Sequence, residues 1–158
     1  MLKIVPAATA HDMADIRLLF GEYAGLVAEA LCFQNFDEEL AALPGAYVPP
    51  GGALLIARDA AAANIAAGCV ALRRIDAGTG EMKRMYVRES FRGSGLGRKL
   101  AIAVIEAARQ THYSRIVLDT LPKLATAITL YRKLGFVETG PYLASPTPGA
   151  ICFELKLS

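Results

Sequence analysis

The sequence is poor in cysteine and histidine, the residues that build disulfide frameworks and many metal centres. Three cysteines and two histidines occur in 158 residues, and no Cys/His pair has the spacing typical of metal ligands. Cys32, Cys69 and Cys152 are widely separated, odd in number and surrounded by apolar residues. We therefore expect buried free thiols in a reducing compartment, and no bound metal.

Charge and long apolar runs are scarce as well. Charged residues make up 20% of the chain and the formal net charge is +2, with one local basic cluster between Lys83 and Lys99. A nucleic-acid-binding protein would need a broader basic face, so we expect no nucleic-acid partner. No stretch of about 18 residues stays apolar without charge, proline or glycine, which argues against a membrane helix. The first residues lack the apolar segment and cleavage site of a secretory signal, so we expect a cytoplasmic protein.

The chain is rich in apolar residues, which make up 54% of it, and many of them are alanine. A chain of this length buries roughly two thirds of its unfolded surface on folding, which is enough for one sizeable core. No internal repeat or low-complexity linker interrupts it. The sequence predicts a single domain over residues 1–158.

A strand, a glycine-rich loop and a helix follow one another between residues 82 and 109. Residues 82–87 are bulky and favour a strand, whereas residues 100–109 are alanine-rich with apolar positions at helical spacing. The loop between them contains Gly93, Gly95 and Gly97, with arginine and lysine on either side. Backbone N–H groups of such a loop and of a first helical turn converge on anions. We therefore expect a phosphate or pyrophosphate here, the alternative being a tight turn that binds nothing.

The spacing separates this loop from two common phosphate-binding motifs. A Walker loop needs a Gly-Lys-Ser/Thr ending, but Lys99 stands between Arg98 and Leu100. A dinucleotide fingerprint needs Gly-x-Gly-x-x-Gly, and this loop is Gly-x-Gly-x-Gly.

Two motifs in order carry a resemblance to a known family. Arg92-Gly93-Ser94-Gly95-Leu96-Gly97 resembles the Arg/Gln-x-x-Gly-x-Gly/Ala loop of the GNAT superfamily of acyl-CoA N-acyltransferases. Leu130-Tyr131-Arg132-Lys133-Leu134-Gly135-Phe136 resembles the Leu-Tyr-x-x-Leu-Gly-Phe segment that follows it in that superfamily. The sharp motifs cover the chain from about Glu81 to Phe136.

The fold expected from the chain in order agrees with the one that the resemblance implies. The hydrophobic pattern predicts an α/β fold with a mixed, mostly antiparallel sheet of six to seven strands and about four flanking helices. The resemblance adds a central splay between the strand ending at Val87 and the one ending near Thr120. It also implies acetyl-CoA as co-substrate, and in many members a homodimer formed through the C-terminal strands.

The resemblance assigns residues to that co-substrate. The pantetheine arm pairs with backbone in the splay, and the pyrophosphate rests on N–H groups of the glycine loop. The cofactor-binding residues so implied are Met85, Tyr86, Val87, Arg92, Gly93, Ser94, Gly95, Leu96, Gly97, Arg98 and Thr120. The sequence departs from the family at Leu124, where an asparagine is common.

The chemistry that the resemblance implies is attack of an amine on a thioester, which needs a base for the amine and a proton donor for the thiolate. Tyr131 matches the family's donor, the alternative being a tyrosine packed on the sheet. Glu81 stands where some members place a catalytic glutamate, or is a solvated residue paired with Lys83. Strand alternation predicts that Glu81, Lys83, Met85 and Val87 share one face.

Acceptor-binding candidates lie in the first two helices and the loop between them: Glu22, Tyr23, Phe33 and Gln34. An aromatic wall with acids would suit a small cationic amine, unless the aromatic residues are core and the acids solvated. We expect an N-acetyltransferase acting on the primary amine of a small molecule. Two alternatives stay open, a protein or peptide N-acetyltransferase and a non-catalytic acyl-CoA sensor.

Overall fold

The structure, a computed structural model, describes residues 1–27, 36–144 and 146–157. Its elements in chain order are β1 (Leu2–Pro6), α1 (Ala10–Val27), α2 (Phe36–Ala42), β2 (Ala53–Asp59), β3 (Ile65–Asp76), β4 (Thr79–Val87), α3 (Leu96–Gln110), β5 (Arg115–Thr120), α4 (Ala125–Lys133), β6 (Val137–Thr139) and β7 (Ile151–Lys156). Short 3₁₀ turns at Gly45–Tyr47 and Glu89–Phe91 precede β2 and α3.

The strands form one seven-stranded sheet in the order β1-β2-β3-β4-β5-β7-β6. Every neighbouring pair is antiparallel except β4 and β5, which are parallel. The predicted mixed, mostly antiparallel sheet with about four helices is confirmed.

The splay begins where β4 and β5 stop pairing. Their register runs from Thr79–Arg115 through Gly80–Ile116 to Glu81–Val117. Beyond that point, within the described residues, β4 pairs with β3 alone and β5 with β7 alone. The two strands therefore diverge towards their C-terminal ends and leave a gap in the middle of the sheet.

A β-bulge in β4 changes which face its side chains occupy. Ala71 pairs with Lys83 and Cys69 with Tyr86, so two residues of β4 oppose one of β3, and Arg84 has a φ of 57°. Met85 and Val87 consequently pack on the same core as Met82, while Tyr86 packs on the opposite one. The expectation that Glu81, Lys83, Met85 and Val87 share one face is wrong, because the bulge shifts the alternation by one residue.

Two hydrophobic cores cover the two faces of the sheet. α3 and α4 pack on one face, where Leu100, Val104, Tyr131 and Phe153 are buried. α1 packs on the other, through Ile16, Leu19 and Phe20, which are fully buried. Cys69 and Cys152 are buried free thiols, as expected, and Cys32 lies outside the described residues.

The N-terminus of α1 is fixed by a reciprocal cap. The Thr9 hydroxyl accepts from the Asp12 N–H at 3.0 Å, and the Asp12 carboxylate accepts from the N–H groups of Ala8 and Thr9 at 2.9 and 3.2 Å. Arg58 of β2 donates to Asp12 at 2.6 Å and to Asp15 at 2.8 Å. One arginine thus ties the first helix to the sheet.

No helix among the described residues is long and apolar enough to cross a membrane. Nor do those residues gather three or more histidine, cysteine or carboxylate side chains in a way that could hold a metal ion.

Replacing Asp12 by Asn should lower the free energy of unfolding by about 1–2 kcal/mol at pH 7, because a cap and a partner of Arg58 are weakened. The Ala8 N–H, followed by Arg58 and Thr9, holds the pKa of Asp12 well below its usual range, against the opposing effect of burial. Its stabilisation is therefore fully present above the unfolded pKa of about 3.9 and is lost as the pH falls through the lower folded value. Urea unfolding should show a difference in the free energy of unfolding between wild type and Asp12→Asn that is constant from pH 5 to 8. This difference should become smaller below about pH 4. Asp37→Asn, at an exposed position of α2, is the control; a gap that did not narrow in acid would contradict this account.

Candidate active site

The gap between β4 and β5 opens into a cavity of about 710 Å³. Its walls come from the diverging halves of both strands, the glycine loop, the N-terminal halves of α3 and α4, the end of α1 and the loop before β7. The lining includes nearly all of the predicted cofactor residues, namely Met85, Tyr86, Val87, Arg92, Gly93, Gly95, Leu96, Gly97, Arg98 and Thr120. Ser94 is not among the lining residues, because its hydroxyl donates to the Phe91 carbonyl at 2.5 Å and so turns into the loop.

The glycine loop at one end of the cavity presents unused N–H groups. Gly95 caps α3, and the first helical hydrogen bond runs from the Lys99 N–H to the Gly95 carbonyl at 3.2 Å. The N–H groups of Leu96, Gly97 and Arg98 precede that bond and lie at the positive end of the helix dipole. Arg92 borders the same space and donates to the Val87 carbonyl at 3.0 Å, which closes the loop against the end of β4.

The glycines of this loop serve two different purposes. Gly93 and Gly95 have φ values of 79° and 83°, a region that side chains disfavour. Gly97 has helical backbone, and a Cβ there would only touch Leu130 at 3.7 Å and Val87 at 3.9 Å. Its lack of a side chain therefore leaves room for something outside the protein.

Tyr131 reaches the cavity from the last turn of α4. Its ring packs on Phe136 and Phe153, with centroids 5.8 and 6.4 Å away, and it is 6% exposed. Burial raises the pKa of its hydroxyl, with smaller contributions from Tyr23 and Asp119, so the hydroxyl stays protonated at neutral pH. The residue thus occupies both positions considered from the sequence, packed on the sheet and facing the cavity.

Glu81 lies at the root of the splay, but both of its oxygens are engaged. Arg73 Nε donates to one at 2.5 Å, and the Tyr142 hydroxyl donates to the other at 2.5 Å. The residue is 1% exposed and does not line the cavity. The alternative of a solvated glutamate paired with Lys83 is wrong, because the partner is Arg73 and the carboxylate is buried.

Four ionisable residues that sequence reasoning did not assign line the cavity: Lys83 and Arg84 of β4, Asp119 of β5, and Lys123. Arg84 binds Glu39, whereas within the described ranges neither Lys83 nor Asp119 has an ion pair. Burial, and then the charge of Glu81, raise the pKa of Asp119. The sequence offered no signal for Lys83 and Asp119, because each is marked by lying two residues beyond the last paired position of its strand, and that register is seen only in the structure.

The predicted acceptor-binding residues differ in whether they line the cavity. Tyr23 lines the cavity and its ring contacts that of Tyr86. Glu22 does not line it: its carboxylate accepts from Arg88 at 2.8 and 3.1 Å and from the Tyr86 hydroxyl at 3.1 Å. Glu22 therefore supports the end of β4. Phe33 and Gln34 lie outside the described residues.

Leu124, which departs from the family pattern, is the N-cap of α4. It provides no side-chain hydrogen bond there; its N–H donates to the Leu121 carbonyl at 2.9 Å. Its side chain lines the cavity, so this wall is apolar where an asparagine would be polar.

Comparison with known proteins agrees with this geometry. A profile described as the acetyltransferase (GNAT) family matches residues 15–136. The chain belongs to the GNAT acetyltransferase family. An uncharacterised N-acetyltransferase of Schizosaccharomyces pombe is 40% identical over 149 residues, covering 94% of this chain and 90% of that protein.

Solved GNAT structures share the fold at low identity. An acetyltransferase from Streptococcus agalactiae superposes with a TM-score of 0.83 at 22% identity, covering 99% of this chain and 98% of its own. A GNAT acetyltransferase from Elizabethkingia anophelis with acetyl-CoA bound superposes with a TM-score of 0.65 at 21% identity, covering 99% of this chain and 98% of its own. This GNAT protein is accordingly an acyltransferase.

Replacing Gly97 by Val should weaken acetyl-CoA binding by at least about 100-fold, since the new methyl groups would displace a pyrophosphate from charge-assisted hydrogen bonds of about 1.5–3 kcal/mol each. The thermal midpoint should change little, because the helical backbone and ordinary contacts at Gly97 tolerate a Cβ. Calorimetry measures the affinity. Gly140→Val, at an open position away from the cavity, is the control; unchanged affinity in Gly97→Val would contradict a phosphate site here.

Proposed function

We propose that this GNAT protein transfers the acetyl group of acetyl-CoA to a primary amine of a small molecule. The observation that carries the proposal is that one cavity joins the glycine loop, a buried phenol and unpaired ionisable side chains. A phosphate-binding end and a proton-handling end in a single space are what a CoA-dependent transfer requires.

The co-substrate fits the cavity from the glycine loop inwards. Its pyrophosphate would rest on the N–H groups of Leu96, Gly97 and Arg98, with Arg92 and Arg98 offsetting its charge. Its amide-bearing arm would pair with the inner edge of β4 along residues 82–87, where β5 has turned away. The family membership and the relative that holds acetyl-CoA support this placement.

The transfer is one displacement. The amine nitrogen attacks the thioester carbonyl, an N–C bond forms, and the C–S bond breaks with its electron pair leaving on sulfur. Tyr131 gives its hydroxyl proton to the departing thiolate; because burial raises the pKa of this phenol, the proton is present at neutral pH when the thiolate forms. The amine's proton must pass to a carboxylate, directly or through water.

Asp119 is better placed than Glu81 to receive that proton. Asp119 lines the cavity, and its nearness to Tyr131 is reflected in the pKa of the phenol. The Glu81 oxygens are occupied by Arg73 and Tyr142. The sequence-based assignment of Glu81 as the base stays a prediction.

The walls of the cavity at the end of α1 and at the loop before β7 suit a small acceptor. The end of α1 contributes Tyr23, Leu26 and Val27, and the loop before β7 contributes Leu143 and Thr147. Elements on both sides favour a pocket over an open peptide groove. A cytoplasmic location and pairing of two copies through the C-terminal strands remain part of the proposal, although the chemistry depends on neither.

Tyr131→Phe should lower kcat by about 10–10³-fold while the Kd for acetyl-CoA stays near wild type, because only the proton donor is removed. Thiol release with an accepted amine measures kcat, and calorimetry measures binding. Tyr113→Phe is the matched control: this buried tyrosine donates to the Gly51 carbonyl, away from the cavity. A Tyr131→Phe variant with full kcat but a lowered thermal midpoint would make the residue structural. A wild-type protein that binds acetyl-CoA but acetylates nothing would favour the sensor alternative.

Asp119→Asn should lower kcat by about 10²–10⁴-fold if Asp119 is the base. Its raised pKa places the acidic limb of the kcat/KM profile above the usual range of an aspartate, since activity needs the carboxylate and is lost as the pH falls through that pKa. The ionisable groups that act on Asp119 or respond to its charge are Glu81, Lys83, Arg84, Cys152, Tyr23, Tyr131 and Tyr142. Glu81→Gln should reduce kcat less than Asp119→Asn does. A larger loss of kcat in Glu81→Gln than in Asp119→Asn would instead identify Glu81 as the base.

A further inference from the structure

Charged side chains are plentiful around the inner end of the cavity, and most are neutralised in pairs. Arg84 binds Glu39 through two hydrogen bonds of 3.0 Å. Arg73 binds Glu81 at 2.5 Å, and Arg88 binds Glu22 at 2.8 Å. These pairs leave little net charge for a ligand to meet.

Among the charged residues of β4 and β5 that line the cavity, Lys83 and Asp119 are the exceptions. Both line the cavity, and in the part of the chain that the structure describes Lys83 has no carboxylate within 4.0 Å and Asp119 has no cationic group within that distance. A partly buried ammonium group without a counter-ion is costly, and burial accordingly lowers the pKa of Lys83. An anion placed beside it would offset that cost.

The strand register sets the two residues opposite each other. Glu81 and Val117 are the last paired residues of β4 and β5, and Lys83 and Asp119 each lie two residues further on. Paired residues of parallel strands project to the same face, and a step of two keeps that face. Lys83 and Asp119 therefore stand on either side of the opening, at the start of the splay, on the face that carries α1.

We propose that the acceptor is an amine that also carries a carboxylate, such as an amino acid, with its carboxylate bound by Lys83 and its amino group held at Asp119. A cation and an acid across a narrow opening are complementary to a molecule with both charges. The amino group then reaches the thioester from the face that carries α1, opposite the face on which α4 carries Tyr131. The inference rests on the proposed acetyl transfer and names its acceptor class.

A comparison of matched acceptors tests the class. The protein with acetyl-CoA is offered the common amino acids, their carboxamides and the corresponding decarboxylated amines, and thiol release is followed. We expect kcat/KM for the favoured amino acid to exceed that of its carboxamide and its amine by at least about tenfold, the value of one charge-assisted contact. Equal or better use of the neutral forms would overturn the inference and leave the proposed acetyl transfer standing.

Variants at Lys83 test the residue. Lys83→Met keeps the length of the side chain but removes the charge, and should reduce kcat/KM for the amino acid by about 10- to 100-fold, mostly through KM. In the same variant the ratio of kcat/KM for the amino acid to kcat/KM for its carboxamide should fall by about 10- to 100-fold, because any effect of the lost charge on Asp119 acts on both acceptors alike. Lys83→Arg should retain the preference for the carboxylate. Lys156→Met, at an exposed position outside the cavity, is the control. A Lys83→Met variant that still preferred the carboxylate would refute the assignment.

Product binding gives a second readout that needs no turnover. Calorimetry of the CoA-loaded protein should show binding of the favoured N-acetyl amino acid, weakened by about 10- to 100-fold in Lys83→Met. Absence of binding by any N-acetyl amino acid, with CoA itself bound, would count against this acceptor class alone. Failure of the protein to bind CoA or acetyl-CoA at all would instead overturn the proposed function.

Discussion

The parting of β4 from β5 after Glu81–Val117 is the constraint on which the rest of the structure depends. Two strands that stayed paired would bury their edges against each other and leave no cavity. Because they diverge, the inner edge of β4 lacks a strand partner, and backbone groups in such a position need another hydrogen-bonding partner. The ring of Tyr131 packs on Phe136 and Phe153 beside the gap. The sheet therefore has fewer strand-to-strand hydrogen bonds at its centre, and among the described residues no strand covers the inner edge of β4 beyond Glu81.

The bulge at Arg84 determines which core the side chains of β4 that follow it face. It places Met85 and Val87 on the core of α3, whereas Lys83, which precedes the bulge, stays on the face that carries α1. The left-handed backbone of Arg84 is unfavourable for a long side chain. Two hydrogen bonds to Glu39 and a contact of its guanidinium with the Phe36 ring at 5.4 Å hold it in place. α2 therefore stabilises a strained point of β4 from outside the cavity.

Local sequence predicted the parts of the site that are local in structure. The strand, loop and helix from residue 82 to 110 have the order that the glycine spacing indicated, and Gly95 has the backbone that only glycine adopts easily. The number and type of strands followed from hydrophobic alternation. The faces of β4 did not, since a bulge arises from pairing with β3 and leaves no mark in a period-2 pattern. The arginine partners of Glu22 and Glu81 were not predicted for a similar reason: Arg88 is distant in sequence and Arg73 is on another strand, and a sequence shows charges without showing which are matched.

The glycine loop and the charges at the start of the splay are positioned in different ways. The glycine loop and Tyr131 are positioned by helices, whose geometry is set by residues a few positions away. Lys83 and Asp119 are positioned by the register of two parallel strands, and Arg73, Arg84 and Arg88 near them already bind glutamates. Under the proposed function, a change at Lys83 would alter the choice of acceptor without disturbing the glycine loop. A fold of this kind could then keep one co-substrate site while its acceptor changes with the side chains of two strands.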